Sequence, residues 1–213
     1  MTRPEPQPQS VTPHPSLPGR VGPADLADSA ASWPVAESET FYDTPYVSLR
    51  RDTIVDPQGG LHPRAVVQPR SAVAVLAIDD DDRLLVVEQY RHAVGHRMIE
   101  LPAGVLDVEG EAPVDAAARE LAEEADVQAA HWEPHLLIRS STGYTTEALT
   151  IFRATGLSAV PEDQRTVREA EEADMQQWWI PFADAVDAVL EGRITNGHAM
   201  SSILAEAARR ARG

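Results

Sequence analysis

Two largely apolar runs lie near the middle of the chain, at Ala72–Ile78 and Leu84–Tyr90. Short runs of this kind, bounded by polar turns, are typical of strands buried within a sheet. The acidic segment Asp79–Asp82 predicts a hairpin turn between them. Further strands are predicted at Phe41–Val55 with a break at Pro45, Val66–Val67, His135–Ile138, Ala148–Phe152 and Trp178–Ile180.

Three other segments are typical of helices. Pro113 suits a helix start, which predicts a helix over Ala112–Glu124. Phe182–Glu191 has an amphipathic pattern, and Asn196–Arg212 ends in arginines that suit the helix dipole. Because strands and helices alternate along the chain, we predict an α/β fold, an α/β/α sandwich with a mixed sheet.

The N-terminal part differs in composition from the rest. Residues 1–35 are rich in proline and poor in apolar residues, which predicts a disordered arm. We expect a β region over 36–68, interrupted by a turn at Asp56–Gly60, and the main domain over 69–213.

Composition limits the classes of function. The chain has 213 residues, 43% of them hydrophobic and none of them cysteine, so a sizeable core is expected without disulfides or thiolate metal sites. With no apolar stretch of bilayer length and no signal-peptide pattern, we expect no membrane association and a cytoplasmic location. A net charge of −16 argues against nucleic-acid binding.

The chemistry is concentrated in Arg119–Glu124, which reads RELAEE. Glu120 and Glu124 are four residues apart, so their carboxylates lie on one helix face and repel each other. A hard divalent cation between them would reverse that repulsion, and Mg²⁺ is commonly held by one or two carboxylates together with substrate phosphates. The alternative is an ordinary solvated acidic helix face.

The surrounding residues resemble the Nudix box. The positions that match it are Gly104, Glu111, Arg119, Glu120, Leu121, Glu123, Glu124 and Val127. Two positions depart from the usual pattern: the spacer from Gly104 to Glu111 is one residue longer, and Asp126 stands where a second glycine is usual. Neither departure removes an expected metal ligand, and a Nudix-type fold is implied.

Within that family, three segments resemble the ADP-ribose pyrophosphatase branch. They are Glu88–Arg91, Glu100–Gly104 and the acidic segment from Arg168 to Met175. The resemblance implies that Ala103 (through its carbonyl), Glu120 and Glu124 bind the metal and that Arg91 contacts the substrate. It also implies supporting roles for Arg119 and Glu123, and a general base for which Glu171, Glu172 and Glu147 are candidates.

The N-terminal β region also resembles that branch, in which a small antiparallel sheet forms the dimer and contributes to the partner's adenosine pocket. Tyr42, Tyr46, Arg50 and Arg51 are therefore candidates for contacts with the adenosine, as is Trp33, because rings and guanidinium groups stack on adenine. Val105 is a further candidate substrate contact. A homodimer is implied.

The expected function is Mg²⁺-dependent hydrolysis of the diphosphate of ADP-ribose to AMP and ribose 5-phosphate, with Mn²⁺ as a possible substitute. Two alternatives stay open. One is a broader pyrophosphatase acting on nucleoside-diphosphate sugars or dinucleotides, since the box handles only the diphosphate. The other is a non-catalytic nucleotide-binding module, against which the intact Arg119, Glu120, Glu123 and Glu124 argue.

Overall fold

A computed structural model of the chain describes residues 12–13, 15–168 and 173–213. The strands within them are β1 (Thr12–Pro13), β2 (Arg20–Val21), β3 (Val35–Asp43), β4 (Val47–Val55), β5 (Leu61–Pro69), β6 (Ala72–Ala77), β7 (Arg83–Arg91), β8 (His96–Glu100), β9 (Ala103–Val105), β10 (Val127–Ile138), β11 (Leu149–Ala159) and β12 (Gln176–Pro181). The helices are α1 (Pro113–Ala125), α2 (Phe182–Leu190) and α3 (Gly197–Arg210).

A mixed four-stranded sheet in the order β10-β11-β6-β9 forms the centre of the molecule. β6 runs parallel to β11 and antiparallel to β9. The sequence of β6 is apolar throughout because both of its faces are covered: Val73 and Val75 pack with α1, whereas Ala74 and Leu76 pack with α2 and α3. This arrangement is the α/β/α sandwich with a mixed sheet that the pattern predicts.

A second sheet, β12-β7-β8, is antiparallel and extends the same two layers. Leu84 and Val86 of β7 join the core beneath α2 and α3, and Leu85 joins the core beneath α1. Complete burial of a leucine side chain contributes about 1.5–3 kcal/mol. The buried side chains on the two faces of β7 therefore stabilise the packing of the helices against the sheets. Among the described residues, no helix is long and apolar enough to cross a membrane.

The N-terminal β region forms a separate antiparallel sheet, β3-β4-β5. The predicted break at Pro45 is the turn between β3 and β4, which is closed by hydrogen bonds between Thr44 and Val47. β3 begins at Val35 and β5 ends at Pro69, so the sheet extends one residue beyond each end of the expected 36–68 region. Phe41 and Tyr42 of β3 are more than half exposed.

The remaining differences concern short or irregular strands. β8 and β9 were not predicted, and β10 begins at Val127, well before the predicted start at His135. In the proline-rich arm, β1 and β2 pair with each other, whereas residues 1–11 and 14 lie outside the described residues.

Candidate active site

Helix α1 presents Glu120 and Glu124 one turn apart, as the spacing predicts. The side chains of Ala117 and Leu121 on the neighbouring face are fully buried, and this packing fixes the rotation of the helix. Glu124 is only 6% exposed, and its Oε2 accepts a hydrogen bond of 2.8 Å from the backbone N–H of Ala103. The helix and strand β9 are therefore joined at the acidic face.

The backbone of Ala103 is available for this contact because of its register in the sheet. Ala103 lies opposite Ala74 in the ladder between β6 and β9. The hydrogen bonds on either side of this pair run from Val75 N–H to the Pro102 carbonyl and from Leu106 N–H to the Ser71 carbonyl. In an antiparallel ladder such an intermediate position is not hydrogen-bonded to its partner strand, so the N–H and C=O of Ala103 both point away from β6. The edge position of β9 thus leaves the Ala103 carbonyl, which the resemblance makes a candidate metal ligand, outside the ladder of hydrogen bonds.

Gly104 gives Glu120 the space it needs. A Cβ atom built on Gly104 would lie 2.0 Å from Cδ of Glu120 and 2.1 and 2.3 Å from its carboxylate oxygens. Any side chain there would displace the Glu120 carboxylate. Glycine suits this position because of that close approach rather than because of a turn.

Arg119 ties the acidic residues together. Its Nε and Nη2 donate to the two carboxylate oxygens of Glu111 at 3.1 Å each, and its Nη1 donates to Glu120 at 2.8 Å and to Glu123 at 3.1 Å. The hydrogen bonds with Glu111 raise the pKa of Arg119 above its ordinary value. The guanidinium thus stays charged and is in contact with all three carboxylates; the supporting roles of Arg119 and Glu123 in the reaction stay predictions.

The electrostatics of this cluster favour a cation. Burial raises the pKa of Glu120 above its ordinary value because it disfavours the charged carboxylate, although Arg119 opposes that effect. Among the described residues, no three His, Cys, Asp or Glu side chains are grouped so as to hold a metal by themselves. The oxygen atoms that could hold a cation are instead the carboxylates of Glu120 and Glu124 and the Ala103 carbonyl, hard donors that fit Mg²⁺ or another hard divalent cation.

A cavity of about 380 Å³ has Ala103 and Gly104 in its lining, whereas Glu120 and Glu124, which contact those two residues, are not part of the lining. Its lining includes Arg91, Glu100, Ala103, Val105, Glu147 and Asn196. A predicted metal ligand, two predicted substrate contacts and one predicted base thus come together in one cavity, although they are far apart in the sequence.

Glu100, to which the sequence assigned no role, organises the floor of the cavity. Its buried carboxylate accepts hydrogen bonds from Arg91 Nη2 at 2.6 Å and from Arg91 Nε at 3.1 and 3.2 Å. Asn196 Nδ2 donates to Glu100 Oε1 at 3.1 Å, while Asn196 Oδ1 caps α3 by accepting from two backbone N–H groups. Asn196 was visible in the sequence as a helix start, but nothing local indicated its contact with Glu100.

The other predicted residues lie elsewhere. Tyr42, Tyr46, Arg50 and Arg51 belong to the N-terminal sheet and its turn and do not line the cavity. Arg50 pairs with Asp52 at 3.0 Å and also contacts Gln68, and Arg51 pairs with Glu39 at 2.7 Å. Trp33 is half exposed. Glu171 and Glu172 lie outside the described residues, so these assignments stay predictions.

Comparison with known proteins identifies the family. The NUDIX domain model matches residues 68–201. The chain is 43% identical over 168 residues to the Mycobacterium tuberculosis protein called ADP-ribose pyrophosphatase, covering 79% of this chain and 80% of that protein. It is 31% identical over 158 residues to the methanol dehydrogenase activator of Bacillus methanolicus, covering 74% and 83%.

A solved structure described as an ADP compounds hydrolase has the same fold, with a TM-score of 0.73 at 19% identity, over 88% of this chain and 99% of that one. The family model, the two relatives and the acidic face of α1 with Glu120 and Glu124 all indicate the same family. The chain belongs to the Nudix family.

Proposed function

We propose that the protein hydrolyses the diphosphate of ADP-ribose to AMP and ribose 5-phosphate. Water adds across the anhydride: one P–O bond to the bridging oxygen breaks, and one P–O bond to the water oxygen forms. The observation that carries this proposal is the Glu120–Glu124 pair: Arg119 holds Glu120, the Ala103 N–H holds Glu124, and Gly104 leaves space for the Glu120 carboxylate. The name of the Mycobacterium tuberculosis relative supports the choice of ADP-ribose.

Glu120, Glu124 and the Ala103 carbonyl would hold the divalent cation, for which we propose Mg²⁺, with Mn²⁺ as a substitute. A bound cation supplies Lewis acidity to the phosphoryl oxygens and lowers the pKa of water. Arg119 keeps the carboxylates oriented through its hydrogen bonds to Glu120 and Glu123. Glu124 is oriented independently by the Ala103 N–H.

We propose that the general base is one of the three candidates Glu171, Glu172 and Glu147, of which Glu147 lines the same cavity as Ala103 and Arg91. A carboxylate beside the bound diphosphate can remove a proton from the attacking water. Glu171→Gln, Glu172→Gln and Glu147→Gln decide among them: the variant of the true base should lose far more turnover than substrate affinity.

Arg91 would bind a diphosphate oxygen, since a guanidinium can donate two parallel hydrogen bonds to an oxyanion. Its ion pair with the buried Glu100 holds it in the cavity. Val105 in the same lining would contact the sugar portion of the substrate.

We also propose that the N-terminal sheet forms a homodimer and brings Tyr42, Tyr46, Arg50 and Arg51 to the partner's adenosine site, with Trp33 nearby. Exposed aromatic residues on β3 support an interface there, because large exposed apolar groups on a sheet face are typical of association surfaces. Sedimentation equilibrium tests this directly: a monomer at micromolar concentration would refute the dimer and the shared pocket.

The experiment that tests the function compares the wild type with Glu124→Gln and with Glu109→Gln, an exposed loop residue outside the site. We expect Glu124→Gln to lower ADP-ribose turnover by about 100-fold or more at saturating Mg²⁺ while the melting temperature is retained, and Glu109→Gln to have no effect. Near-wild-type turnover in Glu124→Gln would refute the metal site.

A substrate panel decides between the proposed substrate and its alternatives. Products would be identified by mass, and reaction in ¹⁸O-labelled water shows which phosphorus is attacked. AMP and ribose 5-phosphate from ADP-ribose, at a higher kcat/KM than from other nucleoside-diphosphate sugars or dinucleotides, support the proposal. Tight ADP-ribose binding without turnover would instead indicate a binding module.

A further inference from the structure

The first turn of α3 forms part of the cavity wall, and its side chain His198 is not used by the proposed hydrolysis. His198 lines the cavity together with Arg91, Glu100 and Asn196. It is partly buried, whereas the next residue, Ala199, is completely buried in the core. The packing of Ala199 fixes the rotation of the helix, and with it the place of His198 in the wall.

Hydrogen bonds of Asn196 hold this turn against the cavity floor. Asn196 Oδ1 accepts from the backbone N–H groups of His198 and Ala199, at 3.1 and 3.0 Å. Asn196 Nδ2 donates to the carboxylate of Glu100 at 3.1 Å. The backbone of His198 is therefore tied to the floor of the cavity through the Asn196 side chain.

The imidazole ring of His198 is held at one of its two nitrogen atoms. Its Nε2 lies 2.9 Å from Oγ of Ser140, in the exposed segment that follows β10. Within the residues that the structure describes, Nδ1 has no hydrogen-bond partner. The ring thus keeps one nitrogen atom for a hydrogen bond with a ligand.

The chemistry of this part of the wall indicates which portion of the substrate it suits. The anionic diphosphate is assigned to Arg91 and the bound cation. The flat adenine ring is assigned to tyrosine and arginine side chains of the N-terminal sheet, on which it can stack. An imidazole nitrogen, in contrast, exchanges a hydrogen bond with a hydroxyl group, and hydroxyl groups are what a terminal sugar presents.

We propose that His198 binds a hydroxyl group of the terminal sugar, the ribose that leaves as ribose 5-phosphate. This inference rests on the proposed function and deepens it: the site would select nucleoside diphosphates that carry a second, hydroxylated sugar. Ser140 is a positioning residue, since it touches the ring but is not among the residues that line the cavity.

The test compares a substrate that has the second sugar with a ligand that lacks it. ADP carries the same adenosine and diphosphate, and it is measured as a competitive inhibitor of ADP-ribose hydrolysis in Mg²⁺. His198→Ala removes the ring but keeps the backbone N–H that Asn196 accepts, and alanine suits a helix. His131→Ala is the matched control, because His131 is exposed on β10 and does not line the cavity.

We expect His198→Ala to raise KM for ADP-ribose by about fivefold to tenfold with kcat changed by less than about twofold, because a hydrogen bond to the bound sugar is lost in the ground state and the transition state alike. The inhibition constant of ADP should stay within about twofold of the wild type, as should every constant of His131→Ala. His198→Gln, which keeps a hydrogen-bonding group, should recover part of the affinity.

The role of Ser140 is tested in the same assay. Ser140→Ala should raise KM for ADP-ribose by about twofold to threefold, but cause no further rise in the His198→Ala background, because the ring that it positions is already gone. A full further rise in that background would refute the positioning role.

An unchanged KM for ADP-ribose in His198→Ala would overturn the proposal. An equal rise in the inhibition constant of ADP would also overturn it, since the contact would then lie on the part that both ligands share. Titration calorimetry of ADP-ribose and ADP makes the same comparison without turnover. A wild type that binds ADP-ribose without hydrolysing it would refute the proposed function, and the calorimetric difference between the two ligands would still decide the role of His198. A wild type that binds neither ligand would refute both.

Discussion

Gly104 is in such close contact with Glu120 that one methyl group should disable the site. We expect Gly104→Ala to displace the Glu120 carboxylate and to lower turnover by about 100-fold, because a displacement of about 1 Å at a reacting centre has that effect. Gly197→Ala is the control: its Cβ meets nothing within 4 Å, and alanine suits the first turn of α3. Steady-state kinetics of both variants at saturating Mg²⁺ check this, and a fully active Gly104→Ala would contradict it.

The residues of the site fall into two groups by how they could be found. Arg119, Glu120 and Glu124 were predictable because helical geometry converts a spacing of one turn into a shared face. Glu100 and Asn196 were not, because their hydrogen bond joins positions 96 residues apart and depends on how α3 packs against β8. Glu147 was one of three acidic candidates in the sequence, and only the fold shows that it lines the same cavity as Ala103.

At the scale of secondary-structure elements, the left-handed cap at the end of α1 predicts a difference in stability. Asp126 caps it in the left-handed conformation with φ of 51°, where glycine avoids the strain of a Cβ. Asp126→Gly and Asp126→Ala both lose the ion pair of 2.6 Å with Arg168, so that loss cancels between them. We expect Asp126→Gly to be more stable than Asp126→Ala by about 1 kcal/mol. Urea unfolding measures the difference, and equal midpoints would refute the strain.

Helix α3 is held on β10 by a buried histidine, which predicts a pH dependence of stability. His135 Nε2 lies 3.0 Å from the Ser202 carbonyl and Nδ1 lies 2.7 Å from Arg209 Nη1, so the ring donates from Nε2, accepts at Nδ1 and is neutral. Burial lowers the pKa of His135, and Arg209 and Arg153 add to this, whereas Glu206 and the hydrogen bond to Ser202 oppose it. A proton on Nδ1 would face the Arg209 guanidinium.

The direction of this pH dependence follows from the lowered pKa of His135. The unfolded chain takes up the proton first, so the stabilisation by neutral His135 is complete above the unfolded pKa of about 6.5 and is lost as the pH falls through the folded pKa. We expect the free energy of unfolding to fall more steeply below about pH 6.5 in the wild type than in His135→Gln. Chemical denaturation at several pH values tests this, with exposed His92→Gln as the control; parallel curves for wild type and His135→Gln would refute it.

Among the strands and helices, sequence patterns predicted those that are long and regular. β6, β7 and α1 have continuous or periodic apolar positions because both faces, or one whole face, are buried. β8 and β9 are short edge strands with few buried side chains, so their sequences have no pattern to detect. In the first half of β10, Val127, Ala129 and Trp132 pack against the core beneath α1, but exposed and partly exposed residues lie between them, so its sequence has no continuous apolar run to indicate a strand.

The molecule as a whole carries a net charge of −16 and would act on an anionic diphosphate. Repulsion at long range slows the encounter, whereas Arg91 and a bound cation act only within the cavity. Salt screens the long-range repulsion, since the Debye length falls from about 30 Å at 0.01 M to about 8 Å at 0.15 M.

We therefore expect kcat/KM for ADP-ribose to rise severalfold when KCl is raised from about 0.01 M to about 0.15 M at constant free Mg²⁺, with kcat nearly unchanged. Arg91 and the buried Glu100 are paired at 2.6 Å, a separation much shorter than the Debye length over this range, which leaves the encounter step as the one that responds most. Initial rates over a salt series measure both constants. A kcat/KM that falls with added salt would contradict this expectation. It would show that the field at the cavity mouth attracts the substrate, because Arg91 and the bound cation outweigh the acidic surface.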